Sequence, residues 1–434
     1  MAKRCAFVLA MIVLTWIAIE LVAVAGHAII NQSLLPSSVV EAEIERVVDR
    51  EIRSDDTRVV GLDWEGYEYV EAVHPYFGYV VDPDQSAARY QVSPLGFHDP
   101  ATDVSNLRKR TDQIIIGFFG GSFAWGTIDF ARPALSKCLA FTEKKIVVRN
   151  FSAGGYKQPQ QLHILTHLLA TGVEFDIVIN IDGFNEIALP FAENIPAGVH
   201  PLFPRRWHDR VAGFISPTRA RKVGTLQILE ESRSRWAESF RVLKLYRSPA
   251  LALLWQYRDR RFATRIFNVR EELRMLDADE TTSDFQVVGP EFPHDDEGIF
   301  ALIAQSWRGA STQMAKLAAG NDAHYLHFLQ PNQYLKDTKP MSEAERSVAI
   351  VSDHPYRAPI VRGYPMLIDE GRALKQEGVA FYDLTQIYAD VPEPLYIDAC
   401  CHVNERGYEI VAERICEAVI ELLDDGQEAG PPLN

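Results

Sequence analysis

One uncharged run, Ile114-Ile115-Ile116-Gly117-Phe118-Phe119-Gly120-Gly121-Ser122, constrains this chain more than any other stretch. β-Branched and aromatic residues without a charge read as a strand buried on both faces, and the two glycines at its end allow a sharp turn before a helix. Ser122 therefore falls at the carboxyl end of a central parallel strand, the edge of an open α/β sheet where ligands bind. A serine there has two readings, the N-cap of the next helix or a nucleophile.

Strand patterns at 114–118, 145–149, 176–181, 324–329 and 379–382 alternate with helical patterns at 133–142, 159–170, 299–319, 357–376 and 404–423. That alternation predicts an α/β domain, a parallel sheet covered by helices on both faces, made of 113–187 and 296–424. Ahead of it, 62–112 is rich in aromatics, glycine and proline and reads as short strands and turns packed on the core, with His74 and His98 in structural roles. His163 and His167, a helical turn apart, read as surface or packing residues.

The first 31 residues form a unit of their own. Lys3 and Arg4 precede an apolar run over 5–30 broken only by Glu20 and His27, enough for a single membrane-spanning helix. A cleaved signal peptide is the alternative, with Ala23-Val24-Ala25 as its small-residue site. Either reading puts the rest of the chain outside the cytoplasm, as an extracytoplasmic domain anchored to the cell membrane or as a secreted or periplasmic protein. Residues 32–61 carry Val40, Ile44, Val47, Val48 and Ile52 at helical spacing, an amphipathic juxtamembrane helix.

Between 188 and 295 the α/β alternation stops, and a largely helical insertion, or cap, is expected. Residues 205–274 hold 17 Lys plus Arg against 7 Asp plus Glu, a charge of +10 within a chain of net charge -15. The acidic total argues against a nucleic-acid partner. The basic insertion suits a membrane-facing lid or a surface for anionic glycans or lipid head groups, or else an arginine-rich cap paired with the acidic body. Cys5, Cys138, Cys400, Cys401 and Cys416 show neither metal-ligand spacing nor a disulfide framework, and the adjacent Cys400 and Cys401 read as reduced and incidental.

Two more strand ends carry polar chemistry. One runs into Asn150-Phe151-Ser152-Ala153-Gly154-Gly155, the other into Asp182-Gly183-Phe184-Asn185-Glu186; a glycine N–H and an asparagine amide there can face an anion forming on a carbonyl attacked by Ser122. Near the C-terminus, Asp398-Ala399-Cys400-Cys401-His402 supplies an acid and a base just before an amphipathic helix.

These four segments, in this order, resemble the SGNH hydrolases of the GDSL esterase group, membrane-anchored bacterial members included. The resemblance covers 113–187 and 324–423. It implies a flavodoxin-like, three-layer doubly wound sheet, with Ser122 as nucleophile, His402 as base and Asp398 as its orienting acid. The implied oxyanion hole comprises Ser122, Gly155 and Asn185, with Gly154 in place of Gly155 if the turn is shifted. Glu186 stands where the family has Asp, and four residues rather than three separate Asp398 from His402. The implied activity is ester hydrolysis, an acyl-ester or O-acetyl esterase needing no metal or cofactor, on acylated polysaccharide or lipid. The same residues would serve an O-acyltransferase of exported polysaccharide, or a non-catalytic glycan-binding or assembly protein on this scaffold.

Overall fold

A computed structural model describes residues 2–31, 37–53, 59–62, 68–83, 91–99, 107–211, 217–279 and 287–428. In chain order, α1 (Ala2–Asn31) and α2 (Ser37–Arg53) precede three short strands, β1 (Val59–Leu62), β2 (Glu68–His74) and β3 (Gly78–Val81). Then follow β4 (Gln113–Gly120), α3 (Ser122–Cys138), β5 (Lys145–Asn150), α4 (Gln160–Ala170), β6 (Ile177–Asp182), α5 (Phe184–Leu189) and α6 (Trp207–Val211). Two long helices, α7 (Pro217–Val242) and α8 (Pro249–Asp279), intervene. The chain closes with α9 (Asp296–Ala319), β7 (His324–Leu329), α10 (Glu343–Ala349), α11 (Arg357–Gln376), β8 (Ala380–Asp383) and α12 (Glu405–Glu428).

Val59–Val211 and Ser283–Asn434 form one compact unit. Its five-stranded sheet runs β5-β4-β6-β7-β8, and every neighbouring pair is parallel. Because side chains alternate across a strand, Ile114, Ile116 and Phe118 enter one core with α3 and α12, while Ile115 and Phe119 enter the other with α4, α9 and α11. Burying both faces is what an uncharged strand such as β4 requires. The expected strands and turns of 62–112 appear as the antiparallel sheet β1-β2-β3 with the bridge Val92–His98, while Trp64 and Tyr67 lie outside the described residues.

Two sequence expectations shift here. The helix after β4 begins at Ser122 rather than near 133; Pro133, a residue that marks helix starts, lies inside α3. The insertion is also shorter than 188–295, because 188–211 belongs to the α/β unit. Buried contacts hold that segment: Lys157 Nζ donates to the carbonyls of Pro201 (2.6 Å) and Phe203 (2.5 Å), and Arg210 pairs with the buried Glu71. A disulfide joins Cys138 to Cys416, tying the end of α3 to α12, a pairing that no spacing in the sequence announces.

Met1–Arg58 and Ala212–Thr282 form the second unit. The apolar stripe of α2 (Val40, Ile44, Val47, Val48) packs with Ala237 and Phe240 of α7 and Trp255 of α8. Three of its basic residues pair with acids of the same stretch, Arg233–Asp259 (2.6 Å), Lys222–Glu272 (2.7 Å) and Arg270–Glu230 (2.6 Å), which leaves the excess positive charge of the stretch in place. In α1, Phe7–Gly26 is long and apolar enough to cross a membrane. Glu20, the charge within that run, accepts the backbone N–H of Ala250 at 3.0 Å and the Ser248 hydroxyl, so it satisfies donors at the start of α8.

Candidate active site

Ser122 is the first residue of α3, with Gly121 as its N-cap. The first N–H groups of a helix have no intrahelical acceptor. Among the described residues, the Ser122 N–H has none elsewhere either. A Cβ at 121 would lie 2.2 Å from Asn185 Nδ2 and 3.2 Å from the Tyr156 carbonyl oxygen, so a larger residue there would displace the Asn185 amide. That crowding brings the ends of β4, β5 and β6 to one point.

The β5 end is shaped by Asn150. Its side-chain amide donates to the His98 carbonyl (2.9 Å), and its Oδ1 accepts the Ser152 N–H (3.0 Å). Beyond it, the buried Tyr79 hydroxyl donates to the Gly154 carbonyl at 2.8 Å. In a trans peptide the C=O and N–H point to opposite sides, so fixing the Gly154 oxygen turns the Gly155 N–H away from Tyr79. That N–H has no acceptor among the described residues. Gly155 has φ +77, and Arg205 lies across it, its Cδ 1.9 Å from where a Cβ would stand. Burial opposes the Arg205 charge, but the Glu193 carboxylate, 2.6 Å from Nη2, holds its pKa above the usual value.

At the β6 end, Asn185 Nδ2 donates to the Tyr156 carbonyl at 2.8 Å, which orients the amide and leaves its second N–H available. Glu186 is not exposed to the cleft. Its two oxygens accept the backbone N–H groups of Gln158 and Gly183, both at 2.8 Å, so it locks the turn that presents Asn185. Burial and the Asp182 carboxylate push its pKa up to about 8, against those two N–H groups. Asp182 is buried too: its Oδ1 accepts the Trp307 indole N–H at 2.7 Å and lies 2.9 Å from His327 Nε2.

Asp398 and His402 close the site. His402 Nε2 lies 2.8 Å from Ser122 Oγ, and His402 Nδ1 lies 2.5 Å from Asp398 Oδ2. Asp398 Oδ1 also accepts the backbone N–H groups of Cys400 (2.9 Å), Cys401 (3.1 Å) and His402 (3.2 Å). Burial alone would raise the Asp398 pKa; the hydrogen bond and charge of His402, with the backbone donors, bring it below the usual carboxylate value. An ionised carboxylate only accepts, so the ring proton sits on Nδ1 and Nε2 is free to accept from the serine hydroxyl. The turn itself is pinned by the Tyr396–Val403 bridge, by the Ile397 N–H to the His402 carbonyl (3.1 Å), and by Gln333 and Tyr334, which donate to the Cys400 (3.0 Å) and Ala399 (2.6 Å) carbonyls.

The structure thus brings Ser122, His402 and Asp398 into one hydrogen-bonded chain and sets Asn185 against the Gly121 and Tyr156 turns. Gly154 contributes a carbonyl to Tyr79. His74 stacks on Phe77 (3.5 Å) and His98 on Trp125 (4.0 Å), both packing contacts. Sequence reasoning missed Tyr79, Arg205, Gln333 and Tyr334; none has a motif, because Tyr79, Gln333 and Tyr334 bond to turns 75, 67 and 65 residues away, and Arg205 lies against Gly155 while its ion pair is with Glu193. Arg205 could have been flagged only as the first arginine of the basic stretch.

No protein-family model matches the chain, and no curated protein matches it. Among solved structures, it is similar to the crystal structure of the lipase Lip_vut3 from a goat rumen metagenome, at 12% identity and a TM-score of 0.31. The match covers 70% of this chain and 97% of that one.

Proposed function

We propose that this chain is a serine ester hydrolase of the SGNH type, held at the membrane by α1 with its α/β unit outside the cytoplasm. The observation that carries the reading is the Ser122–His402–Asp398 chain, with 2.8 Å and 2.5 Å links. Numbered within the sheet, β5-β4-β6-β7-β8 is the order 2-1-3-4-5, that of flavodoxin-like doubly wound sheets, and Ser122 follows its first strand at the switch point. The Cys138–Cys416 disulfide favours an oxidising compartment.

In this reading Ser122 Oγ attacks an ester carbonyl while His402 Nε2 takes its proton. Asp398 keeps the ring oriented and stabilises the imidazolium. The N–H groups of Ser122 and Gly155 and the Asn185 amide receive the oxyanion. His402 then protonates the leaving alcohol, and water repeats the sequence on the acyl-enzyme, releasing the acid. Acylated polysaccharide or lipid of the cell envelope is the substrate class that fits such a location.

Covalent labelling tests it. A fluorophosphonate should modify the full chain at Ser122, and Ser122→Ala and His402→Ala should each abolish both labelling and hydrolysis of a short p-nitrophenyl ester while the circular dichroism spectrum is kept. Labelling elsewhere, or hydrolysis retained in either variant, would refute the assignment.

A further inference from the structure

Between the acid and the base of the site stand two thiols that the hydrolytic reading does not use. Cys400 Sγ and Cys401 Sγ are 3.7 Å apart, and both lie, with a ring nitrogen of His402, within a set of atoms no more than 4.8 Å from one another. Zinc holds thiolate sulfur at about 2.3 Å, and two such bonds at the tetrahedral angle put the sulfurs ~3.8 Å apart. The two thiols already stand at that edge length. Cys401 is buried and Cys400 half-buried, so the pair is reachable through Cys400. The turn is rigid, because backbone N–H groups of 400, 401 and 402 converge on Asp398 Oδ1 while Gln333 and Tyr334 hold its carbonyls.

We infer that Cys400, Cys401 and His402 form a binding site for a thiophilic divalent cation of the zinc class, and that occupying it switches the proposed hydrolase off. Binding forms two metal–thiolate bonds and one metal–imidazole bond and releases two protons, one from each thiol, with no change of oxidation state; where Nδ1 is the ligand, its ring proton moves to Nε2. A fourth position is left for water. Inhibition follows from the bookkeeping of the imidazole: Nε2 faces Ser122 and Nδ1 faces Asp398, so a metal on either nitrogen removes one link of the proton relay. Hard cations such as magnesium prefer oxygen donors and should leave the site empty.

The switching part rests on the hydrolase reading; the metal-binding part does not, and cobalt separates them. Titrating the full chain in detergent with Co2+ should raise a near-ultraviolet sulfur-to-cobalt charge-transfer band that Zn2+ abolishes and Mg2+ does not. Cys400→Ser should lose most of the band, and His402→Gln should weaken Co2+ binding by at least about tenfold. If Cys401→Ser fails to fold, blocking Cys400 with iodoacetamide in the native chain gives the same readout. No band in the wild type, or a band indifferent to Cys400→Ser or to His402→Gln, overturns the site. Hydrolysis of p-nitrophenyl acetate, scaled to each protein's own metal-free rate, should fall at least about tenfold with Zn2+ in the wild type and return with chelator, with far less effect in Cys400→Ser. Equal inhibition in both overturns the switch. A band without any hydrolysis would instead leave the site standing and sink the hydrolase reading.

Discussion

Asp398 grips His402 twice: one carboxylate oxygen lies 2.5 Å from the ring Nδ1, and the other accepts the backbone N–H of the same residue at 3.2 Å. Oδ1 also gathers the N–H groups of Cys400 and Cys401, so the carboxylate anchors the turn as well as the ring.

Asp398→Asn should therefore be severe. Replacing one acceptor oxygen by an amide nitrogen removes either the ring partner or the backbone acceptor, and kcat/KM should fall by at least about 10²-fold, toward the ~10⁴ found for this change in a working triad. A loss below about tenfold would reduce the site to a Ser–His pair.

Asn185 offers one amide hydrogen to the Tyr156 carbonyl, and the second is the one proposed to receive the oxyanion. Asn185→Ala should lower kcat by roughly 10²–10³-fold with little change in KM, since an oxyanion donor acts on charge that appears in the transition state. Steady-state kinetics on p-nitrophenyl acetate decides; a raised KM with kcat unchanged would make Asn185 a substrate-binding residue instead.

Glu186 satisfies two buried backbone donors, at Gln158 and Gly183. Glu186→Ala should destabilise the fold by about 1–3 kcal/mol per orphaned group, beyond any loss of rate. Urea unfolding measures it, and a shift under about 0.5 kcal/mol would mean the two turns hold without the carboxylate.

Lys157 tests the pH dependence of the segment that carries Arg205. Burial lowers its pKa from 10.5 to about 7, against the attraction of Glu186 and Glu193. Between those values the unfolded chain holds the proton and the folded chain does not, so this group's contribution to stability rises with pH across that window. The stability of the wild type relative to Lys157→Met should accordingly increase between pH 7 and pH 10. A flat or falling difference in thermal midpoints would contradict a buried, neutral lysine.

Local chemistry was readable in the sequence where it is written in consecutive residues. The uncharged run before Gly120-Gly121-Ser122, the strands of the sheet and the helix over 357–376 follow from periodicity, because a strand buried on both faces cannot carry charge and a helix must repeat its apolar face. The candidate residues Ser122, Asn185, Asp398 and His402 were legible for the same reason, each standing at the end of a strand or just before a helix. What only the tertiary structure decided are the contacts between distant segments: the approach of His402 to Ser122, the Tyr79 hydrogen bond that turns Gly155, the placing of Arg205 across Gly155, and the Cys138–Cys416 link over a separation of 278 residues. Such pairings depend on how the chain returns to the sheet edge rather than on neighbouring residues, so no period or spacing in the sequence encodes them.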